Sequence, residues 1–393
     1  MYNVQTLNKI SEKGLQYLNP TTFAIADEMD NPDGIIVRSF EMKDMDLPES
    51  LLAIARAGAG TNNIPVNKCS EEGIVVFFAP GANANAVKEL VLTSIFLSSR
   101  KVIEGIEWTK TLRGKTGVDK IVEKEKSQFA GPEIAGKTLG VIGLGAVGVR
   151  VVNAAIALGM TVIGYDPYLS IHAAWNLSGQ AIKADSIESV VSQSDYVTIH
   201  MPLNDSTRGS INKDVFDKFK PGARLINLAR GEIVDSEALK EALNSGKIAG
   251  YITDFPIDSI MDIENENLIM IPHLGASTPE SEENCAEMAA IEIRDYLEYG
   301  IIRNSVNFPD CTDPYTGGTR IGVLHKNVPG MLGTITNIMA KHGVNIENLA
   351  NKNKGDWAYT LIDTASLNGK NEEVINEIKA IDCVVRARIV REK

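Results

Sequence analysis

Residues 137–166, KTLGVIGLGAVGVRVVNAAIALGMTVIGYD, constrain the fold more than any other stretch of the chain. The apolar run from Leu139 to Ile142 reads as a buried strand, and GLGAVG then places Gly143, Gly145 and Gly148 in GxGxxG spacing. Val147 to Leu158 reads as a helix, and a second strand, TVIGYD, ends at Asp166. The glycine spacing alone is a weak signal. A strand before it, a helix after it and an acid at the end of the next strand make it one β-α-β unit, which requires parallel strands with both faces covered.

Each glycine has a separate physical use. Gly143 permits the tight turn, Gly145 lets a ligand approach the backbone, and Gly148 lets the helix pack closely on the strand. A tight turn with no ligand satisfies the same spacing. If a dinucleotide binds, the helix start at Ala146 and Val147 offers free N–H groups and a partial positive charge to the diphosphate. Asp166 would accept bonds from the adenosine ribose hydroxyls and repel a 2′-phosphate, which favours NAD over NADP.

More units of the same kind flank this one. TTFAIA, GIIVRS, LLAIARAGAG and GIVVFFA in residues 1–80 read as strands ending in turns, as do SDYVTIHMP, ARLINLARG, IAGYITDF and NLIMIP after residue 190. Residues 83–108 follow a helical period, 109–127 are lysine-rich and read as a solvated loop or surface helix, and 279–300 form a long amphipathic helix. Residues 303–319, RNSVNFPDCTDPYTGGT, read as a linker and a natural hinge. The last block, 320–393, reads β-α-β-β-α-β. The expected organisation is a discontinuous first domain (1–95 with 280–305), a second α/β domain (96–279), a linker (306–319) and a small C-terminal domain (320–393).

Bulk properties narrow the function. The net charge of −12 disfavours nucleic acid, which needs clustered cations, but leaves room for a small anion held by two or three local cations. Cys69, Cys285, Cys311 and Cys383 show neither CxxC nor metal-ligand spacing, so no metal is expected and a reducing compartment is. The N-terminus lacks a signal pattern, and the apolar stretch 89–99 is too short to cross a bilayer. A soluble cytoplasmic protein with no membrane partner is the expectation.

Three strand ends carry chemistry. LINLARGEIVD puts Arg230 after one strand, YITDFP puts Asp254 after another, and LIMIPHLGAST puts His273 after a third. In open α/β sheets ligands gather at such ends. Arginine can grip a carboxylate and polarise the neighbouring oxygen, and histidine can take a hydroxyl proton as hydride leaves. Taken singly, Arg230 also fits a surface ion pair, Asp254 a turn or cap, and His273 a satisfied core position.

GLGAVG…YD, INLARGEIVD, TDFP and PHLGAST together resemble the signatures of the D-isomer-specific 2-hydroxyacid dehydrogenases, over nearly the whole chain. The resemblance implies NAD as cofactor, Arg230 on the substrate carboxylate and His273 as acid/base catalyst. It also implies Pro202, Leu228, Ala229, Asp254 and Gly275 along the cofactor. VRS and RAGAGTNNIPV point to the members that oxidise 3-phosphoglycerate to 3-phosphohydroxypyruvate, the entry to serine biosynthesis. There Arg38, Ser39 and Arg56 would hold the phosphate, and backbone N–H groups from Ala57 and Gly58 to Gly60 the carboxylate. Erythronate 4-phosphate and 2-hydroxyglutarate are the alternative substrates, and a non-catalytic NAD-sensing protein is the alternative class. One departure stands out: where the family carries a glutamate five residues after the aspartate, this chain has Ser259. Asp258 is the nearest replacement.

The C-terminal block resembles an ACT domain. The resemblance implies an L-serine site formed by His325, Asn327 and Asn345, with His325 in the turn after a strand at 320–324. It also implies a homo-oligomer, a dimer or a tetramer.

Overall fold

The computed structural model describes residues 1–392. The chain divides into two compact units, one of residues 1–83 with 279 onward and the other of Ala84–Thr278. The strands of the first are β1 (Tyr2–Leu7), β2 (Phe23–Ala26), β3 (Gly34–Val37), β4 (Ala53–Arg56) and β5 (Val75–Phe78). Those of the second are β6 (Thr138–Ile142), β7 (Thr161–Tyr165), β8 (Ile182–Lys183), β9 (Tyr196–Ile199), β10 (Ala223–Asn227), β11 (Ile248–Thr253) and β12 (Leu268–Met270). The first unit ends with β13 (Thr319–Lys326), β14 (Asn348–Lys354), β15 (Trp357–Thr364) and β16 (Val384–Arg391).

In the second unit the seven strands form a parallel sheet in the order β12-β11-β10-β9-β6-β7-β8. Strand order reverses between β6 and β9, so a crevice opens at their carboxyl ends. Val190, Phe216 and Leu239 belong to one buried cluster of this unit, and Val91, Ile95, Val152 and Ala155 to another. The helix Ala84–Ser99 places Val87, Val91 and Ile95 at four-residue spacing, and all three are buried with Leu139 and Val141. The expected boundary at residue 95 therefore lies inside an element of this unit, and the division falls at 83/84. The helical period does not run unbroken to 108: Lys101 leaves helical geometry, and a separate helix spans Val102–Lys110. That helix and the next, Val118–Glu125, bury none of their residues, and the second lies in the lysine-rich stretch read as a solvated loop or surface helix.

In the first unit a five-stranded parallel sheet has the order β2-β1-β3-β4-β5. The helix Pro279–Tyr299 returns to it and buries Ala286, Ala289, Ala290, Ile293 and Leu297 in the same core as Val4, Ile36, Ala53 and Val75. The C-terminal residues form an antiparallel sheet in the order β14-β15-β13-β16. Its own core joins Ile321, Val323 and Ile362 to Ile335 and Met339 of the helix Met331–Lys341 and Val374 and Ile378 of the helix Asn371–Lys379. Leu324, Tyr359 and Leu361 share a second core with Tyr296, Leu297 and Phe308.

The expected linker is stapled rather than loose. Asn307 accepts the Val76 N–H at 2.9 Å and donates to the Ile74 carbonyl at 2.9 Å, while Phe308 and Cys311 are buried. Proline, glycine and aspartate mark irregular backbone, and irregular backbone can be as tightly bonded as a strand. Arginines complete the docking of the C-terminal sheet. Arg388 donates to the carbonyls of Leu297 (3.2 Å) and Tyr296 (2.6 Å), near the open end of the helix, and Arg386 to those of Glu49 (3.3 Å) and Glu72 (2.9 Å).

Arg320 is the best-bonded of them. It is wholly buried, grips Asp363 through two bonds of 2.6 and 2.7 Å, and donates to the carbonyls of Tyr299, Asp313 and Pro314 at 3.1, 3.0 and 2.9 Å. That gives every guanidinium N–H an acceptor. Arg320→Leu leaves Asp363 buried and unpaired, and is expected to cost about 3–5 kcal/mol in urea unfolding of the full chain. Arg320→Leu with Asp363→Leu should recover part of that loss. A single variant that melts with the wild type would show that the pair does not hold the docked sheet.

Candidate active site

The glycine-rich turn follows β6 directly. Gly143 has φ +93°, and its N–H bonds the Tyr165 carbonyl at 2.8 Å. A Cβ there would lie 2.7 Å from the carbonyl carbon of His200, and one on Gly148 would lie 2.0 Å from the Gly143 oxygen. Those two positions have no room for a side chain. Gly145 differs: a Cβ there would meet nothing within 4 Å, so its backbone faces open space. The helix Ala146–Ala157 starts there with no side-chain cap, leaving the N–H groups of Ala146, Val147 and Gly148 without intrahelical acceptors. Asp166 accepts the Leu144 N–H on one oxygen and the Tyr168 N–H on the other, both at 2.8 Å. Its remaining lone pairs can still accept from a ribose. A diphosphate cradle with open backbone and a carboxylate at the next strand end fits NAD.

The reacting groups are positioned by strand register. Asn227 of β10 pairs with Thr253 of β11, and Thr253 with Met270 of β12. The turns carrying Arg230, Asp254 and His273 therefore leave the sheet side by side. Each turn has its own lock. The buried Asn227 donates to the Arg230 carbonyl at 2.8 Å and accepts the Ala229 N–H at 3.1 Å, which folds Leu228–Arg230 back. Thr253 Oγ1 accepts the Phe255 N–H at 3.0 Å. Asp254 ties two turns together, for its Oδ2 accepts the Gly275 N–H and its carbonyl accepts the His273 N–H, both at 2.9 Å.

Asp254 is buried, and burial pushes its carboxyl above the ordinary range, opposed by the Gly275 N–H and by the charges of His273 and Arg230. Its Oδ1 has no hydrogen-bond partner among the described residues. An orphaned acceptor beside the cradle fits an amide donor such as a carboxamide. His273 sits at φ +43° in the left-handed region, and its exposed ring lies 4.4 Å from that of Phe255. The Arg230 guanidinium lies 5.3 Å from the same Phe255 ring, and its Nη1 donates to the Ala229 carbonyl at 2.7 Å.

Three other histidines are committed elsewhere. Burial pushes His200 down to about 3, which leaves it neutral beside the Thr198 hydroxyl. His342 bonds Glu377, and His325 is enclosed in β13. No hydrogen bond or ion pair joins His273 to Asp258 among the described residues. Asp258 instead opens the short helix Asp258–Met261, and Ser259 bonds the Ser236 hydroxyl at 2.7 Å. The expectation that Asp258 orients the imidazole is corrected accordingly. Phe255 lies in the TDFP motif, and a phenylalanine after a strand carries no chemical signal of its own in the sequence.

In the first unit, Arg38 pairs with Glu282 at 2.7 Å, and Arg56 donates to the Arg38 carbonyl at 3.2 Å. The Arg56 guanidinium lies over Gly58, where a Cβ would come 2.1 Å from its Nη1. The Ser39 N–H bonds Asn8 Oδ1 at 2.9 Å. The Ala57 and Gly58 N–H groups are spent on the Val37 and Arg56 carbonyls, so they are not the free donors expected, whereas the N–H groups of Ala59 and Gly60 make no such backbone bond among the described residues.

In the C-terminal sheet, β13 runs through His325 to Lys326, so this histidine is in the strand and not in the turn. Its two ring nitrogens bond the Lys326 carbonyl at 2.8 Å and the Thr360 hydroxyl at 2.9 Å. Asn327 and Asn345 are exposed.

Comparison with known proteins agrees with this geometry. Residues 92–275 match the family described as D-isomer specific 2-hydroxyacid dehydrogenase, NAD binding domain, and 321–386 match the AHAS small subunit-like ACT domain. D-3-phosphoglycerate dehydrogenase of Escherichia coli (strain K12) is 32% identical, covering 87% of this chain and 82% of that protein. The protein of the same name from Bacillus subtilis (strain 168) is 30% identical over 97% of this chain and 73% of its own. The crystal structure of NAD+-bound 3-phosphoglycerate dehydrogenase from Entamoeba histolytica is similar with a TM-score of 0.62 and 26% identity, over 78% of this chain and 98% of that one. On these matches, and with Arg230, Asp254 and His273 on adjacent turns of the sheet that bears the glycine cradle, the chain belongs to the D-isomer-specific 2-hydroxyacid dehydrogenase family.

Proposed function

We propose that this chain is an NAD-dependent dehydrogenase that oxidises 3-phosphoglycerate to 3-phosphohydroxypyruvate, the entry step of serine biosynthesis. The observation that carries the reading is the strand register, which sets Arg230, Asp254 and His273 on adjacent turns of the sheet that bears the glycine cradle. Gly143, Gly145, Ala146, Val147 and Gly148 hold the diphosphate, and Asp166 the adenosine ribose. Pro202, Leu228, Ala229, Asp254 and Gly275 line the nicotinamide half. NAD, when bound, supplies the acceptor for the hydride leaving C2 of the substrate.

The protein residues do the rest. Arg230 holds the substrate carboxylate through its planar fork and draws electron density from the adjacent carbinol oxygen. The His273 imidazole accepts the C2 hydroxyl proton, so that C2 becomes a carbonyl carbon and the proton leaves as imidazolium. In the reverse direction the imidazolium returns that proton. Arg38, Ser39 and Arg56 take the phosphate, with Arg38 exchanging its Glu282 partner for it. The N–H groups at Ala59 and Gly60 remain available to the substrate.

The exposed apolar side chains Phe96, Val102, Ile103 and Ile106 support a homodimer through this part of the second unit. The uniformly reduced cysteines support a cytoplasmic location. L-serine is the proposed effector of the C-terminal domain, with Asn327 and Asn345 supplying amides that donate to its carboxylate and accept from its ammonium group. His325 backs them from within β13.

Purified protein mixed with NADH and a panel of 2-oxo acids should consume NADH with phosphohydroxypyruvate. Activity confined to unphosphorylated acids would overturn the substrate assignment. Arg56→Ala should lower kcat/KM for the phosphorylated substrate by about 10- to 150-fold, the equivalent of a charge-assisted contact, with KM carrying most of the change. Equal loss on an unphosphorylated acid would mean that Arg56 does not read the phosphate. L-serine should inhibit the wild type, and Asn345→Ala should abolish inhibition while uninhibited turnover survives. Turnover indifferent to millimolar serine, with no heat of binding in calorimetry, would leave the domain an assembly module.

A further inference from the structure

We infer that Phe255 is a positioning residue, whose ring holds the His273 imidazole and the Arg230 guanidinium in register where no carboxylate is bonded to the imidazole. The inference rests on the dehydrogenase reading of His273 and Arg230. Two contacts meet on this one ring, and a third observation concerns the imidazole it touches. The His273 ring centroid lies 4.4 Å away at an interplanar angle of 45°, within direct contact. The Arg230 guanidinium carbon lies 5.3 Å from the same centroid, inside the range over which a cation is attracted to an aromatic face. His273 makes no side-chain hydrogen bond among the described residues, and Ser259, at the position where a carboxylate was expected, is bonded to Ser236.

The Phe255 ring is well placed to act as a fixed surface. Its backbone N–H is bonded to Thr253 Oγ1 at 3.0 Å, Asp254 before it is tied to Gly275, and Pro256 after it restricts φ and ψ. The opposite partner is fixed as well, because His273 sits at φ +43° with its N–H on the Asp254 carbonyl. The phenyl quadrupole presents negative charge above its face, so it offsets the repulsion between Arg230 and an imidazolium that the proton transfer creates. Asp254 is a charged group that interacts with both through space. Dispersion and quadrupole contact thus orient a ring that a hydrogen-bonded carboxylate would otherwise orient.

The test compares Phe255→Leu with Phe255→Tyr in the full-length chain. Oxidation requires the unprotonated imidazole, so activity falls below its titration midpoint, and weakening the protonated form moves that limb to lower pH. Phe255→Leu should shift the acid limb of kcat/KM down by about half a pH unit and reduce kcat roughly tenfold. Phe255→Tyr, which keeps the ring, should restore both. The His273 imidazole resonance, followed by NMR without any turnover, should show the same downward shift in the leucine variant and its reversal in the tyrosine variant. NAD binding, followed by fluorescence, reports that each variant is folded. A leucine variant that binds NAD and keeps the wild-type limb and the wild-type NMR midpoint overturns the inference. Because the NMR midpoint needs no catalysis, an inactive wild type would sink the dehydrogenase reading separately.

Discussion

Parallel pairing holds Asn227, Thr253 and Met270 abreast, and the placement of every reacting group depends on that register. A one-residue slip between β10 and β11 would turn Arg230 away from Asp254, since side chains alternate faces along a strand. The register is defended after the strands end. A buried amide at Asn227, a hydroxyl at Thr253 and a carboxylate at Asp254 each take a backbone N–H from the turn that follows or lies beside it. These bonds are short-range and buried, so deleting one leaves an unpaired polar group, at a cost of about 1–3 kcal/mol. The left-handed backbone of His273 is tolerated because Asp254 holds it from the neighbouring strand.

The sequence made the cradle and the strand ends legible because their signals are local. Glycine at 143 and 148 answers to atoms a few residues or one strand away, and the apolar runs that end at Arg230, Asp254 and His273 are short and well bounded. What could not be read depends on contacts between segments. The use of Ala57 N–H by Val37 follows from the pairing of β3 with β4, which a linear motif does not display. The role of Phe255 arises only when the turn after β12 folds back over the turn after β11. Asp258 is the nearest acid by counting residues, but a short helix begins there and no hydrogen bond or ion pair joins it to the imidazole among the described residues.

The C-terminal domain shows the same limit. Residues 303–319 carry the composition of a hinge, yet Asn307, Phe308 and the carbonyls of Asp313 and Pro314 are drawn into buried bonds. The docking combines a shared apolar core with guanidinium groups bonded to backbone carbonyls. Any effector of this domain would act on a sheet that shares a core with the helix Pro279–Tyr299, and that helix packs against β3, β4 and β5. Coupling of this kind needs differential affinity for two arrangements of packed side chains, not a free tether.

The central claim is that His273 is the group that exchanges a proton with the substrate hydroxyl. Its most direct test is NADH formation in the first turnover of His273→Asn, followed by stopped-flow absorbance across pH, with NAD affinity measured on the same protein. The variant should retain NAD binding, form NADH in the first turnover about 10²–10⁴-fold more slowly, and lose the acid limb. A first-turnover rate close to the wild type with the same acid limb would contradict the claim.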